Sequence, residues 1–390
     1  MAHRIAIYAL GPISFLGGGE LIAVGLANYL FERGHDVVLR SRLTSSDLTR
    51  TTSTSPSRTI LAPHDVVTYN FRGWQLPGVL NAPSLPDVEQ LSASKINLLF
   101  VNRLPSAKYL DLVSARGITL ALLMHGIALE DYQPPNILAT GYQSFLRLDL
   151  MLIARAIRRG KIHFQVLNEC QRDALTRSGV PPNRVSLIEN GIDHSHLAPT
   201  PNNEEFRAIF LGRFSDVSKG LRLLYLTARE LKKRGSRAVL DVCGWGPDIA
   251  IAKRAARALP GSAVWEAVAD DQKNALLSAA NLQIVTSNMD PYPLSVIEGL
   301  SSGLPVVTTP SAGPRTIVSK DPSFGRVLPA NPRALADATI KYYDEWASHP
   351  DEYFRARVLR AKLARQTFPI ERMFSQYEAL ISALDSATSD

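Results

Sequence analysis

Residues 282–303 read LQIVTSNMDPYPLSVIEGLSSG: a short apolar run, a turn with two prolines, and a second apolar run closed by glycine. The segment Leu282–Ser287 predicts a buried strand. The segment Leu294–Ser302 predicts a helix that ends at Gly303. A strand followed at once by a helix is the repeating unit of a parallel α/β sheet, so this stretch indicates that fold class.

Two carboxylates flank the turn, Asp290 ahead of the helix and Glu298 about one turn inside it. Pro293 suits the first helical turn, where no backbone donor is lost. The N–H groups of Leu294 and Ser295 then point back at the strand end and favour an anionic ligand. The pattern predicts acids that bind hydroxyls at two ends of a ligand whose charged middle meets the helix. A capped helix with two solvated acids is the alternative.

The same alternation of strand-like and helix-like segments runs through all 390 residues. This length exceeds what one hydrophobic core usually organises. Residues 199–205 have linker composition and follow the segment Asn190–Asp193. We therefore expect two doubly wound α/β domains, residues 1–195 and 196–366, that face each other across a cleft, followed by a terminal helical segment, 367–390. Ligands bind at the carboxyl ends of parallel strands, so the motifs should gather at that cleft.

The composition limits the classes of partner and compartment. The net charge is +7, but the basic excess is spread over both halves, which argues against a nucleic-acid partner. Cys170 and Cys243 form no C-x-x-C pair, and the apolar runs are too short for a signal peptide or a membrane span, so we expect a cytoplasmic protein. The basic segment Arg155–Lys161 follows the apolar segment Leu148–Ile153 and predicts peripheral contact with the inner face of a membrane. A solvated helix end is the alternative.

Two basic residues, Arg213 and Lys219, lie between a predicted strand and helix in the segment Leu211–Gly220. A forked guanidinium and a compact ammonium are a suitable pair to bind a diphosphate. They would also offset the charge of a departing phosphate. Basic surface residues beside a helix are the alternative that this segment leaves open.

Three further features fall at predicted strand ends. Gly17, Gly18 and Gly19 open the helix after the first strand, where they let a ligand approach the backbone. Gly244 lies in a tight turn that predicts backbone contact with a nucleoside. His125 follows an apolar strand and is a candidate to orient a substrate hydroxyl. Taken singly, the glycines also fit plain turns, and the histidine also fits a structural role.

Three motifs are absent from the sequence: D-x-D, H-E-x-x-H and a Walker P-loop. A G-x-S-x-G match at Gly299–Gly303 closes a predicted helix and is not a strand-to-helix elbow. These motifs serve metal binding, phosphate binding and nucleophilic catalysis. The remaining pattern predicts an enzyme that uses a nucleotide diphosphate without a metal ion.

The glycine turn at Gly17–Gly19, the basic pair Arg213 and Lys219, and the acid pair Asp290 and Glu298 occur in this order along the chain. In this they resemble glycosyltransferase family 4, the retaining nucleotide-sugar transferases of GT-B fold. The resemblance covers most of the chain and is strongest from Asn190 to Gly313. It implies two Rossmann-like domains, the second of which binds the donor, and C-terminal helices that cross back to the first. It also implies a nucleotide-sugar co-substrate with no other cofactor, Asp290 on the sugar hydroxyls and Glu298 on the ribose.

We accordingly expect a catalytic set of His125, Arg213, Lys219 and Asp290. The donor-binding residues that we expect are Gly17, Gly18, Gly19, Asn190, Arg213, Lys219, Gly244, Val268, Tyr292, Pro293, Leu294, Ser295 and Glu298.

Three positions depart from the family's pattern. Asp290 stands where glutamate is usual and is shorter by one C–C bond of ~1.5 Å. Pro293 replaces a common glycine and removes a backbone donor. Ala267 also stands where glycine is frequent. The family's contacts to the nucleobase are therefore not carried over to this chain.

The resulting hypothesis is transfer of a sugar from a UDP- or GDP-sugar to an acceptor hydroxyl with retention at the anomeric carbon. We favour front-side displacement, since no residue is an obvious covalent nucleophile. A nucleotide-sugar 2-epimerase and a binding protein of the same fold are the alternatives. The acceptor, a glycan, lipid or small molecule, is expected at residues 11–19, 44–59 and around Arg72–Trp74, which do not identify it.

Overall fold

The computed structural model describes residues 4–8, 18–41, 64–66, 88–101, 107–127, 129, 131, 135–141, 143–144, 147, 162–202 and 204–386. Gly17, the 44–59 segment, Arg72–Trp74 and the basic segment Arg155–Lys161 lie outside these residues. The chain forms two compact units. The first unit comprises Met1–Ile127, Phe145–Glu189 and Glu371–Asp390, and the second comprises Ala128–Ser144 and Asn190–Ile370.

The first unit contains a seven-stranded parallel sheet of order β3-β2-β1-β4-β5-β6-β7. Its strands are β1 (Arg4–Tyr8), β2 (Asp36–Ser41), β3 (His64–Val66), β4 (Leu98–Val101), β5 (Thr119–Leu123), β6 (Ile162–Val166) and β7 (Val185–Leu187). Its helices between strands are α1 (Gly18–Glu32), α2 (Val88–Ala93), α3 (Ala107–Ala115) and α4 (Glu169–Arg177). Every residue of β4 and β5 is buried, as expected for central parallel strands covered on both faces.

The second unit repeats the plan with a six-stranded parallel sheet of order β10-β9-β8-β11-β12-β13. Its strands are β8 (Arg207–Leu211), β9 (Val239–Gly244), β10 (Ala263–Glu266), β11 (Leu282–Val285), β12 (Val306–Thr308) and β13 (Gly325–Val327). Its helices are α5 (Asp216–Lys219), α6 (Leu221–Lys233), α7 (Ile249–Arg257), α8 (Asp270–Ala279), α9 (Leu294–Ser301), α10 (Ala312–Val318), α11 (Pro332–Ser348) and α12 (Pro350–Thr367). The predicted doubly wound α/β architecture is confirmed for both units.

The helix α13 (Ile370–Ser386) follows the second unit in sequence but belongs to the first. Phe374 lies against α1, where its ring centroid is 5.1 Å from that of Tyr29. A Cβ added to Gly25 would lie 2.8 Å from Phe374 Cζ, so the glycine makes room for the ring. Glu378 accepts a hydrogen bond from the Tyr29 hydroxyl at 3.1 Å. Both apolar and polar contacts therefore attach α13 to the first sheet's helical layer.

The helix α12 carries a buried arginine that joins separate loops of the second unit. Arg357 is 1% exposed. Its guanidinium donates to the carbonyl oxygens of Thr200 at 3.0 Å, Ser278 at 2.9 Å and Ser302 at 3.3 Å. Two of these carbonyls lie at or just beyond the C-terminal ends of α8 and α9, where helices leave carbonyl groups unpaired.

The observed division of the chain differs from the expected domain limits in three respects. The second unit begins at Asn190, six residues before the expected start at 196, and it ends at Ile370 rather than at 366. It also takes in Ala128–Ser144. The short strands β3, β7 and β13 and the one-turn helix α5 have no counterpart in the sequence prediction. No helix in the part of the chain that the structure describes is long and apolar enough to cross a membrane.

Candidate functional site

Two of the predicted motifs lie side by side because β8 and β11 are neighbours in the second sheet. The loop after β8 carries Arg213 and leads into α5, which ends at Lys219. The loop after β11 carries Asp290 and leads into α9. Parallel strands end at the same edge of their sheet, which is the usual place for ligands in such folds.

Lys219 and Asp290 form an ion pair in which Lys219 Nζ donates to Asp290 Oδ2. Asp290 is 5% exposed, and the Lys219 side chain is 20% exposed. A buried carboxylate without a partner would be strongly destabilising, so the ammonium compensates its charge. The structure thus brings together the residue predicted to bind the diphosphate and the residue predicted to bind the sugar.

The C-terminal end of α5 is fixed by the loop after β11. Gly220 has a φ of +63°, and a Cβ there would lie 2.1 Å from the Thr286 carbonyl oxygen, so this position requires glycine. Thr286 Oγ1 donates to the Lys219 carbonyl oxygen at 2.8 Å. Asn288 Nδ2 donates to the Asp216 carbonyl oxygen at 2.9 Å. These contacts hold the backbone of Lys219 beside the loop that carries its ion-pair partner.

The Asp290 loop is held from two sides. The Gly313 N–H donates to the Asp290 carbonyl oxygen at 2.9 Å, and a Cβ at Gly313 would lie 2.4 Å from that oxygen. On the other side, Asn190 Nδ2 donates to the Tyr292 carbonyl oxygen at 3.0 Å. Asn190 and Tyr292 are both buried. We predicted that Asn190 and Tyr292 bind the donor. In the structure, their hydrogen bond stabilises the Asp290 loop.

The helix α9 begins at Leu294, as the sequence predicted, but Pro293 has a different place from the one expected. Pro293 is the N-cap residue, with extended backbone at φ −71° and ψ 121°, and the helix begins at Leu294. Its predicted place inside the first helical turn is therefore wrong. Leu294 and Ser295 form that first turn and are half-buried. Their N–H groups belong to the end of the helix that favours negative charge.

Glu298, the second acid, is held by a lysine that the sequence prediction did not single out. Lys273, on α8, donates from Nζ to Glu298 Oε1 at 2.6 Å and lies 3.5 Å from Asp270 Oδ1. Burial alone would lower the pKa of Lys273, but the two carboxylates outweigh burial and raise that pKa above its ordinary value. Lys273 therefore remains an ammonium group. Each acid of the predicted pair thus has its own lysine.

The loops after β8 and β9 are also in contact. Gly244 has a φ of +152°, and a Cβ there would lie 1.8 Å from the Gly212 carbonyl oxygen. The Phe214 N–H donates to the Trp245 carbonyl oxygen at 2.6 Å. The guanidinium carbon of Arg213 lies 5.3 Å from the centroid of the Trp245 ring, within reach of a cation–π interaction. Arg213 is exposed, so its charge is available to a ligand.

Ala267, the third departure from the family pattern, has a left-handed backbone with φ of 51°. Its N–H donates to the Gly244 carbonyl oxygen at 3.0 Å. Glycine adopts this conformation without steric cost, whereas alanine does not. Val268, one of the residues expected to bind the donor, follows it and is half-buried.

Three of the predicted residues that the structure describes belong to the first unit. Gly18 and Gly19 are the first two residues of α1. His125 lies in a 3-10 turn, Met124–Gly126, directly after β5. His125 Nε2 is hydrogen bonded to the hydroxyl of Tyr377 on α13 at 2.8 Å.

The turn around His125 is anchored by a buried glutamine. Gln171 Nε2 donates to the carbonyl oxygens of Met124 at 2.9 Å and Ile127 at 2.6 Å. Burial lowers the pKa of His125 to about 4, and a hydrogen bond with Gln165 opposes this only in part. The imidazole is therefore neutral near pH 7, so one of its nitrogens donates a hydrogen bond and the other accepts one.

Four residues that contact the predicted site residues or their loops were not predicted from the sequence: Lys273, Tyr377, Asn288 and Trp245. Trp245 alone had a signal, because it directly follows Gly244 in the predicted tight turn. The others are ordinary residues of helices and loops, and only the packing shows their partners. Among the described residues, no three His, Cys, Asp or Glu side chains converge as metal ligands.

Comparison with family models gives two matches that together cover most of the chain. Residues 16–196 match a model described as Glycosyltransferase Family 4, and residues 205–345 match one described as Glycosyl transferases group 1. The chain is also 26% identical over 249 residues to WcaL of Escherichia coli, provisionally named as a colanic acid biosynthesis glycosyltransferase. That alignment covers 59% of this chain and 56% of the relative, so the chain matches about half the length of that protein.

Solved structures share the fold at low sequence identity. HepE of Anabaena, crystallised with UDP and glucose, has a TM-score of 0.71 and 16% identity over 97% of this chain and 99% of its own. Sucrose-phosphate synthase of Thermosynechococcus elongatus has a TM-score of 0.70 and 18% identity over 98% of this chain and 99% of its own. The two-sheet fold is therefore the one found in these two proteins.

Proposed function

The chain belongs to glycosyltransferase family 4 and has the GT-B fold, and from this premise we propose that it transfers a sugar from a nucleotide-sugar to an acceptor hydroxyl. The donor is a UDP- or GDP-sugar, and the acceptor is a hydroxyl of a glycan, a lipid or a small molecule. We extend the proposal to retention at the anomeric carbon and to catalysis without a metal ion.

The observation that carries the proposal is the ion pair between Lys219 and Asp290 at the carboxyl ends of β8 and β11. A nucleotide-sugar presents a diphosphate next to sugar hydroxyls. The ammonium of Lys219 can bind the diphosphate, and the carboxylate of Asp290 can accept hydrogen bonds from the sugar hydroxyls. The exposed guanidinium of Arg213 and the N-terminal turn of α9 add positive charge in the same unit.

The reaction follows from where charge develops. When the bond between the anomeric carbon and the diphosphate oxygen breaks, negative charge grows on the diphosphate, and Arg213 and Lys219 stabilise it. Charge-assisted hydrogen bonds contribute about 1.5–3 kcal/mol each, so the pair supplies much of this stabilisation. The acceptor oxygen forms a bond to the anomeric carbon on the face that the diphosphate leaves, so the anomeric configuration is retained. The leaving diphosphate takes up the proton of the acceptor hydroxyl.

One relative favours UDP over GDP as the first donor to test, because HepE was crystallised with UDP and glucose. The decisive experiment is a screen of UDP- and GDP-sugars against glycan, lipid and small-molecule acceptors, with release of free UDP or GDP as the readout. The anomeric configuration of the product, determined by NMR, tests retention. Activity measured with EDTA present tests metal independence.

The double variant Arg213→Ala/Lys219→Ala is expected to lose transfer. Because it leaves the buried Asp290 without its partner, the single variant Arg213→Ala, at an exposed side chain, is measured beside it and is expected to lower transfer while keeping the fold. Full transfer by the double variant would rule out the proposed role of these residues. Conversion of the donor without any acceptor would instead indicate a 2-epimerase. Donor binding with neither transfer nor slow hydrolysis would indicate a binding protein.

A further inference from the structure

Lys273 lies between two carboxylates beside the predicted ribose-binding acid. Its Nζ is 2.6 Å from Glu298 Oε1 and 3.5 Å from Asp270 Oδ1. The side chains of Lys273 and Glu298 are 19% and 17% exposed, so both are mostly withdrawn from water but still open to a ligand. The charges come from two different helices, α8 and α9, which the fold brings together after the strands β10 and β11.

The pairing affects how Glu298 presents its oxygens. A free glutamate on a helix samples several rotamers, and a short contact to a neighbouring ammonium selects one. The contact engages Oε1, which leaves the lone pairs of Oε2 as the acceptor for other donors. An ammonium has three N–H donors, and its contacts with Glu298 and Asp270 account for two of them.

We propose that Lys273 positions Glu298 and forms with it a donor and acceptor pair that recognises the 2′,3′-diol of a nucleoside diphosphate. This inference rests on the proposed function, since it concerns the ribose of the same donor. Each ribose hydroxyl is both a donor and an acceptor. A carboxylate oxygen beside an ammonium group therefore satisfies both properties, which a carboxylate alone does not.

The consequence is discrimination between ribose and deoxyribose. A site built to hydrogen bond a hydroxyl loses affinity for the analogue that lacks it, because partly buried polar groups then stay unpaired. The exposure of the pair moderates this loss, so we expect about 10-fold to 100-fold weaker binding of the 2′-deoxy nucleotide. Without Lys273 the pair loses its ammonium donor, so we expect the two nucleotides to bind with similar affinity.

The test is calorimetric titration of the full chain with UDP, GDP and their 2′-deoxy counterparts. Lys273→Met keeps the length of the side chain and removes the ammonium, and it is expected to weaken UDP binding and to bring the UDP to 2′-deoxy-UDP ratio close to one. Lys219→Met is expected to weaken both nucleotides by a similar factor and so to leave the ratio unchanged. Gln272→Met, which puts the same side chain at an exposed neighbouring position of α8, should bind as the wild type does.

The outcomes separate the two proposals. Equal binding of UDP and 2′-deoxy-UDP by the wild type, or an unchanged ratio in Lys273→Met, overturns the role of Lys273 and leaves the transferase proposal intact. Failure of the wild type to bind any UDP or GDP species overturns the donor class itself. Lys273→Arg retains a positively charged donor and should preserve part of the discrimination between the two nucleotides. Should Lys273→Met fail to fold, the ratio of UDP to 2′-deoxy-UDP affinity of the wild type tests the proposal.

Discussion

At the scale of single residues, Asp290 is tightly constrained, because its carboxylate is buried against Lys219. Asp290→Asn keeps the shape but removes the charge. We expect kcat/KM for transfer to fall by about 100-fold or more, the usual size of a lost electrostatic contact in an active site. Asp290→Glu keeps the charge but adds a methylene to a buried position, so its expected loss is smaller, about 10-fold. Steady-state kinetics with the identified donor measure both, and unchanged kinetics for Asp290→Asn would contradict the assignment.

Ala267 is the residue where backbone conformation conflicts with side-chain type. A left-handed φ costs a non-glycine residue about 1–2 kcal/mol, and a β-branched side chain suffers most. We expect Ala267→Val to lower the free energy of unfolding by about 1 kcal/mol, whereas Ala267→Gly should be neutral or slightly stabilising. Urea unfolding of both variants measures the difference. A valine variant as stable as the glycine variant would show that this conformation is not strained.

The sequence predicted the acid pair and its basic partner better than the rest of the site. Asp290, Glu298 and Lys219 follow strands at short spacing, so their shared edge can be inferred from the order of elements. Lys273 cannot be inferred in this way. Its partner is 25 residues away on another helix, and a lysine in an amphipathic helix is typical of a solvated face.

At the scale of elements, the contact between α1 and α13 depends on the missing side chain of Gly25. Valine at that position meets the Phe374 ring, since even a Cβ would lie 2.8 Å from Cζ. We expect Gly25→Val to destabilise the protein by about 1–3 kcal/mol, the usual cost of overpacking. The shorter Phe374→Leu should relieve part of this loss, so the double variant is less destabilised than the sum of the single variants.

Thermal unfolding of the two single variants and the double variant measures that coupling. Gly141→Val is the matched control, because an added Cβ there has no atom within 4 Å. Strictly additive effects at Gly25 and Phe374 would mean that the ring moves away freely.

The ends of some helices could be predicted from the sequence, because a glycine follows them. Helices α6 and α9, for example, are each followed closely by a glycine, Gly235 and Gly303, with positive φ. The strands β3, β7 and β13 could not be predicted, since three residues carry no alternation of apolar and polar side chains. They form because β2, β6 and β12 offer them unpaired backbone groups.

At the scale of the whole molecule, two histidines make the first unit sensitive to acid. Burial lowers the pKa of His125 to about 4, and burial together with Arg184 lowers the pKa of His163 to about 4. Both values lie below the 6.5 of an unperturbed histidine, so the unfolded chain binds more protons between these pH values. Stability is therefore complete above pH ~6.5 and decreases as the pH falls toward ~4, by about 1–3 kcal/mol for each histidine.

Hydrogen exchange of first-unit peptides between these pH values, corrected for the intrinsic rate, measures this loss. His163→Gln, at the position bonded to Ser186, should flatten the dependence. A slope equal to that of the wild type would show that other groups control the acid response.

The return of α13 to the first unit also has a consequence for biosynthesis. As the chain leaves the ribosome, the strands β1 to β7 appear first, but residues 371–386 emerge only after the entire second unit has been translated. Until then the groove at Gly25 lacks Phe374, and His125 lacks the hydroxyl of Tyr377. Synthesis of the first unit therefore starts before that of the second unit and ends after it. The second unit can fold on the nascent chain while the first unit still lacks α13.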